Sequence, residues 1–253
     1  MKIIDAHCHL DFEAFDTDRS AVMSRASEAG IEKIVVPGVS AENWPRIHAL
    51  CSQDSRLHAC YGLHPYLTEK HSDQDIDTLS NWLDSHESVA IGECGLDYRK
   101  GQPPKQKQLH FFEAQLRIAT DCDLPVVIHS VKATEDVIQT VSKFNSIRGM
   151  VHSYSGSYEQ ALQLIDLGFY ISIGGQITYD KARKLRATAS DIPLQSMLLE
   201  TDAPDQPDAE HVNQRNEPAY IVNVLDALVD LRDETKEEIA EQTTANAKAL
   251  FKI

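Results

Sequence analysis

Positive charge is scarce in this chain: 24 Lys and Arg stand against 39 Asp and Glu in 253 residues, a net charge of −15. A broad electrostatic grip on a nucleic-acid backbone is therefore excluded, although metal ions can still hold a phosphate locally. No C-x-x-C occurs, and the five cysteines (Cys8, Cys51, Cys60, Cys94 and Cys122) are odd in number and widely spaced. Neither a disulfide framework nor a zinc ribbon fits that arrangement. No run of about 18 apolar residues is present, which excludes a membrane-spanning helix. The opening MKIIDAHCHL is interrupted by Asp5 too early for a signal peptide, so cytoplasmic residence is expected. No Pro/Gly/Ser-rich linker, repeat or low-complexity stretch divides the chain, and a single domain over residues 1–253 is the simplest expectation.

What is present is alternation. Short apolar runs predict strands at Lys2–Asp5, Lys33–Pro37, Leu57–Gly62, Val89–Glu93, Pro125–His129, Gly149–His152, Phe169–Gly174 and Met197–Glu200. They are nearly continuous in Val, Ile, Leu and Met, as strands covered on both faces should be. Helical periodicity lies between them, for instance over Arg19–Ala29, Lys107–Thr120 and Tyr158–Leu167, with Gly30, Asn145 and Gly168 as expected stops. The stretch from Glu217 to Ile253 reads as two acidic, alanine-rich helices. This pattern predicts an α/β protein, a (β/α)8 TIM barrel, with a doubly wound open sheet as the competing architecture.

Position separates the eleven histidines. His48, His71, His86, His110 and His211 fall in helical or polar loop segments, and His58 falls inside a strand; solvated or structural roles suit them. His7, His9, His129 and His152 each close a predicted strand, as do Glu93 and Asp202. In a barrel those strand ends share one face, where active sites are built. His7-Cys8-His9 places two imidazoles on one side of an extended chain. Cys8 and Cys94 alternate away from the ligands and read as packing residues. Chance placement of four histidines at strand ends is the rival explanation, but buried imidazoles without a common partner would be costly. Nitrogen and carboxylate donors suit Zn, Mn or Mg. Six donors exceed the three of one catalytic zinc, which points to two divalent ions with Glu93 placed to bridge them.

These residues also carry a family resemblance. Asp5–Asp11, Gly92–Tyr98, Ile128-His129-Ser130 and Glu200–Pro204, supported by Gly62–Pro65, Ser155–Ser157 and Arg215–Pro218, resemble the TatD-like metal-dependent DNases. Glu69–Asp73 and Gly174–Tyr179 are most similar to the YjjV branch of that family. The resemblance runs from residue 5 to about residue 250. It implies an amidohydrolase-type barrel in which His7, His9 and Asp202 hold one divalent ion, His129 and His152 hold a second, and Glu93 is shared. The implied activity is phosphodiester hydrolysis, as a DNase working from strand ends or on single strands. Two positions depart from the family's usual pattern. Val131 stands where arginine often follows His-Ser, removing a bidentate phosphate clamp, and His152-Ser153-Tyr154-Ser155-Gly156 replaces the more usual His-Cys-Phe-Ser-Gly.

The expected roles follow. Asp202 orients the attacking water or takes its proton, and Glu93 joins it in the catalytic set. His64 and Asn216 are candidate substrate contacts, although His64 ahead of Pro65 reads equally well as a turn residue. Lys181, Arg183, Lys184 and Arg186 form the one dense basic segment, either a DNA track or a solvated helix face. Ester or C–N hydrolysis, including an aminoacyl-RNA substrate, would use the same metals. A non-catalytic metal-binding module is the remaining alternative. No obligate protein partner is indicated.

Overall fold

The computed structural model describes residues 1–253. Its eight strands are all parallel and pair in chain order, forming a nearly closed (β/α)8 barrel. They are β1 (Ile3–Asp5), β2 (Ile31–Pro37), β3 (Leu57–Tyr61), β4 (Ala90–Asp97), β5 (Val126–Val131), β6 (Gly149–Val151), β7 (Phe169–Ile173) and β8 (Met197–Leu199). Seven helices, α1 (Arg19–Glu28), α2 (Trp44–Gln53), α3 (Asp73–Leu83), α4 (Lys105–Asp121), α5 (Thr134–Val141), α6 (Tyr158–Asp166) and α7 (Arg183–Asp191), fall in the connections between strands. The two expected C-terminal helices follow as α8 (Ile221–Val229) and α9 (Lys236–Phe251). An open doubly wound sheet would reverse its strand order, and this one does not. No helix is long and apolar enough to cross a membrane.

The seam between β8 and β1 is sewn by main-chain and side-chain bonds. Ala6 N–H donates to the Leu199 carbonyl (2.9 Å), Asp202 N–H to the His7 carbonyl (2.9 Å) and His9 N–H to the Ala203 carbonyl (2.8 Å). The buried carboxyl of Asp5 accepts from the Thr201 N–H (3.0 Å) and hydroxyl (2.6 Å). Ile4, Ala6, Val35, Cys60, Ala90, Val127, Met150 and Leu198 form an inner cluster with Ala247, Leu250 and Phe251 of α9. Because the Thr244 hydroxyl of α9 reaches the Lys2 carbonyl (3.0 Å), that helix closes the end where the strands begin. The opposite end is left for chemistry. A larger cluster fills the layer between sheet and helices, and it includes Cys8 and Cys94 as packing residues.

Local chemistry sets several element ends. Reciprocal capping boxes start α3 (Ser72 with Asp75), α6 (Ser157 with Gln160) and α9 (Thr235 with Glu238). Gly30 ends α1 at φ +92°, a conformation that side chains with a Cβ rarely adopt. Strand ends differ from the sequence expectation. Strands β3, β6, β7 and β8 each stop one residue sooner. β4 instead continues four residues beyond Glu93, since Cys94–Asp97 keep pairing with Ile128–Val131 of β5. Helix α5 ends at Val141, well before Asn145, and a turn then brings Phe144 against the core.

Candidate metal centre

The six expected ligands converge at the open end of the barrel, and all are buried. His7 and His9 lie just past β1, Glu93 in β4, His129 in β5, His152 just past β6 and Asp202 just past β8. His7 Nε2 and His9 Nε2 are 3.3 Å apart. Glu93 Oε2 lies 3.3 Å from each of them, and Asp202 Oδ1 lies 3.3 Å from His7 and 3.6 Å from His9. On the other side, His129 Nδ1 and His152 Nε2 are 3.1 Å apart, each 2.8 Å from Glu93 Oε1. The two oxygens of one carboxylate thus face two separate pairs of imidazoles. His64 joins the second set, its Nε2 lying 3.0 Å from Glu93 Oε1.

The backbone is shaped to permit this. Gly95 has φ +131°, and a Cβ there would meet the His129 carbonyl at 2.1 Å, so only glycine lets β4 run this close beside the His129 strand. The β4–β5 register shifts between Ile91 and Cys94, the stretch that contains Glu93. Asp202 sits at φ +57°, a left-handed conformation that a residue with a Cβ holds only under constraint. The seam bond to His7 and an Asp205 N–H to Asp202 carbonyl bond (2.9 Å) supply that constraint.

Electrostatics favour a cation here. Burial opposes ionisation of Glu93, but the imidazoles of His64, His152 and His7 outweigh it and hold its carboxyl well below the usual range. Burial likewise opposes charge on Asp202, and the His7 hydrogen bond brings it down to about 2. Burial and the neighbouring His152 disfavour a charged His7, yet Glu93 and Asp202 raise it to about 9. Without a metal, the anionic carboxylates therefore draw protons onto imidazoles. Nitrogens facing one another at 3.1–3.3 Å cannot all be satisfied by those protons. Glu93 Oε2 also lacks any hydrogen-bond donor. Three donor triads have all ligand atoms within 4.8 Å of one another: His7-His9-Asp202, His7-Glu93-His152 and His64-Glu93-His129. This donor set fits divalent cations bound by nitrogen and carboxylate.

A ring of supporting residues surrounds the ligands. Asp97 Oδ2 lies 3.2 Å from His129 Nε2 and also pairs with Arg99. Glu200 accepts from the Ser153 N–H and the Ser172 hydroxyl (2.5 Å each) and stands 3.6 Å from His152 Nδ1. Such carboxylates fix the orientation of a ligating imidazole. Gln206 donates to Asp202 and accepts from the Ser153 hydroxyl (2.6 Å). Asp97 and Glu200 lie inside motifs that the sequence singles out, but only the fold shows their aim. Gln206 carries no sequence signal at all.

Asn216 is placed differently from the expected substrate contact. It is buried, its Nδ2 donates to the carbonyls of Thr201 and Asp205 (2.8 Å each), and its Oδ1 accepts from Glu217 N–H (2.9 Å). With its polar atoms spent on backbone, it fastens the Asp202 loop. His64 does reach the site: its Nδ1 accepts from Tyr66 N–H (3.0 Å), which leaves Nε2 as the donor in the neutral ring. Burial pushes His64 down to about 4, so the ring is neutral at working pH.

A cavity of about 720 Å³ opens above the ligands, walled in part by Phe12, Tyr66, Val131 and Gln176. Arg99 is the one permanent cation in its wall. The basic segment after β7 leaves Lys181, Arg183 and Lys184 exposed, whereas Arg186 donates to the Ile177 carbonyl (2.8 Å). His58 stands in β3, away from the site.

Residues 4–252 match the family described as TatD related DNase. The chain is 40% identical to the metal-dependent hydrolase YjjV of Escherichia coli strain K12, covering 100% of this chain and 98% of that protein. It is 30% identical to the Salmonella typhimurium protein named 3'-5' ssDNA/RNA exonuclease TatD, covering 99% of each. The crystal structure of YjjV from Escherichia coli superposes with a TM-score of 0.96 at 39% identity, covering 99% of this chain and 98% of that one.

Proposed function

The chain belongs to the TatD-related DNase family of metal-dependent hydrolases, and from that premise we propose that it cleaves phosphodiester bonds, as a deoxyribonuclease acting on DNA ends or single strands. The observation that carries this reading is Glu93, whose two oxygens serve two ligand sets at once. His7, His9 and Asp202 would hold one divalent ion, His129 and His152 a second, and Glu93 would reach both. Bound Mg²⁺, Mn²⁺ or Zn²⁺ lowers the pKa of water and neutralises charge on phosphoryl oxygens.

The chain's own residues supply the rest. Asp202, ionised and steadied by Gln206, accepts the proton of the attacking water. The neutral ring of His64 offers its Nε2 hydrogen to a phosphoryl oxygen. Asp97 and Glu200 keep His129 and His152 aimed inward. Phe12, Tyr66 and Val131 give the cavity that would receive the reacting group part of its apolar wall. The nucleic-acid substrate also accords with the named activity of the Salmonella relative. We place the enzyme in the cytoplasm, as one catalytic domain over residues 1–253 without an obligate protein partner. Its five free cysteines accord with a reducing compartment.

Val131 favours a second reading. With no arginine after Ser130, the cavity wall holds a single permanent cation, which suits a small or aminoacyl ester as well as a nucleotide. The test is hydrolysis of single-stranded DNA, a small phosphodiester and an aminoacyl ester by chelator-stripped protein after Mg²⁺, Mn²⁺ or Zn²⁺ is added back. Metal-restored nucleotide release supports the nuclease. Ester turnover without nucleotide release moves the protein to the second reading.

A further inference from the structure

A second cavity, of about 650 Å³, adjoins the one above the metal centre. Tyr66 and Leu67 line both, so the two are neighbours with the tyrosine at the divide. Tyr66 is one of few large side chains with an apolar face left in water, being 57% exposed. The far side of the divide is walled by Lys70, Lys100, Gln102 and Pro103. Neither Lys70 nor Lys100 makes an ion pair, in a molecule whose acidic surface offers many partners. The nearest carboxylate in that wall, Glu69, is already taken by Lys107 at 3.0 Å. Arg99, beside Lys100 in sequence, looks into the first cavity and rests on Asp97. Cationic groups therefore stand on both sides of an exposed aromatic face, Arg99 in the cavity above the candidate ligands and Lys70 and Lys100 in its neighbour.

We propose that this groove is a strand-binding subsite for single-stranded DNA: the nucleotide beyond the scissile phosphate stacks its base on Tyr66, and its phosphates are met by Lys70 and Lys100. The inference rests on the phosphodiesterase reading above and adds where the rest of the strand lies. Stacking on an aromatic face tolerates any base and selects single strands, because in a duplex each base face is already covered by its stacked neighbours. Two lysines neutralise phosphates without reading sequence. Together they let a protein of net charge −15 hold a polyanion along one narrow path.

The test compares thymidine oligonucleotides of two and twelve residues with a small aryl phosphodiester, using metal-loaded enzyme. Wild type should show a KM at least tenfold lower for the longer strand. In Lys70→Gln/Lys100→Gln that length advantage should disappear while kcat on the small diester stays within twofold. The salt dependence of log KM should flatten by about 1.4, from roughly 0.7 per lost cation on a single strand. Tyr66→Ala should raise KM for the long strand about tenfold, and Tyr66→Phe should restore it, since stacking needs the ring and not the hydroxyl. Variants that handle the long strand as wild type does overturn the groove while leaving the nuclease intact. Wild type that turns over no phosphodiester with any metal overturns both.

Discussion

His7 and His152 stack face to face, their ring centroids 4.0 Å apart and their planes 8° from parallel. They come from opposite parts of the strand order, beyond β1 and beyond β6, and Glu93 reaches His7 with one oxygen and His152 with the other. The two ligand sets are thus one mechanical unit. Glu93→Ala is expected to abolish binding of both ions, whereas His9→Ala loses one and keeps the other. Metal content of dialysed protein checks this; a Glu93→Ala enzyme that retains one tight ion contradicts the shared role.

Asp202 is buried and ionised, and it is held by the seam and by Gln206. Asp202→Asn keeps the shape and removes the base, so turnover should fall about 10²–10⁴-fold. Thermal stability and circular dichroism should stay close to wild type. Undiminished hydrolysis would take Asp202 out of the proton-transfer role.

Asn216 acts through the loop it fastens. Asn216→Ala leaves the carbonyls of Thr201 and Asp205 without their donor, at a cost of about 1–3 kcal/mol in unfolding free energy. Affinity for the ion near Asp202 should weaken roughly 10–100-fold. A rise in KM with unaltered stability and metal affinity would instead mark a direct substrate contact.

His58 supplies a pH dependence remote from the metal centre. Burial, with help from Lys33, lowers its pKa from 6.5 to about 4. Between those values the unfolded chain binds a proton that the folded chain refuses, so stability rises with pH across that window. Urea unfolding of wild type should show a larger loss from pH 7 to pH 5 than His58→Gln does. Equal losses would show that His58 does not set the acid limb.

The barrel and the residues that cluster at its open end were legible because they are written in local pattern. Apolar runs such as Val126–Ile128 mark buried parallel strands, and histidines closing such runs stand out against the polar histidines of helices. Strand ends were less legible, because ladder pairing in β4 and β5 depends on a register shift that no local pattern records. The backbone bonds of Asn216 were hidden for a similar reason: an asparagine next to a motif looks the same whether it faces substrate or backbone carbonyls. The roles of Glu200 and Gln206 rest on contacts 47 and 53 residues distant from Ser153, beyond any local signal.

The seam between β8 and β1 makes the geometry of the donor cluster depend on contacts of very long range. Asp5 and Thr201 are 196 residues apart, so the suture joins the first strand of the barrel to the segment just past its last. A nascent chain halted before β8 has His7 and His9 but neither Asp202 nor the bonds that position it. Contacts of such long range form late. A chain lacking β8 and the loop beyond it therefore keeps the clustered imidazoles but not the Asp202 carboxylate that faces two of them.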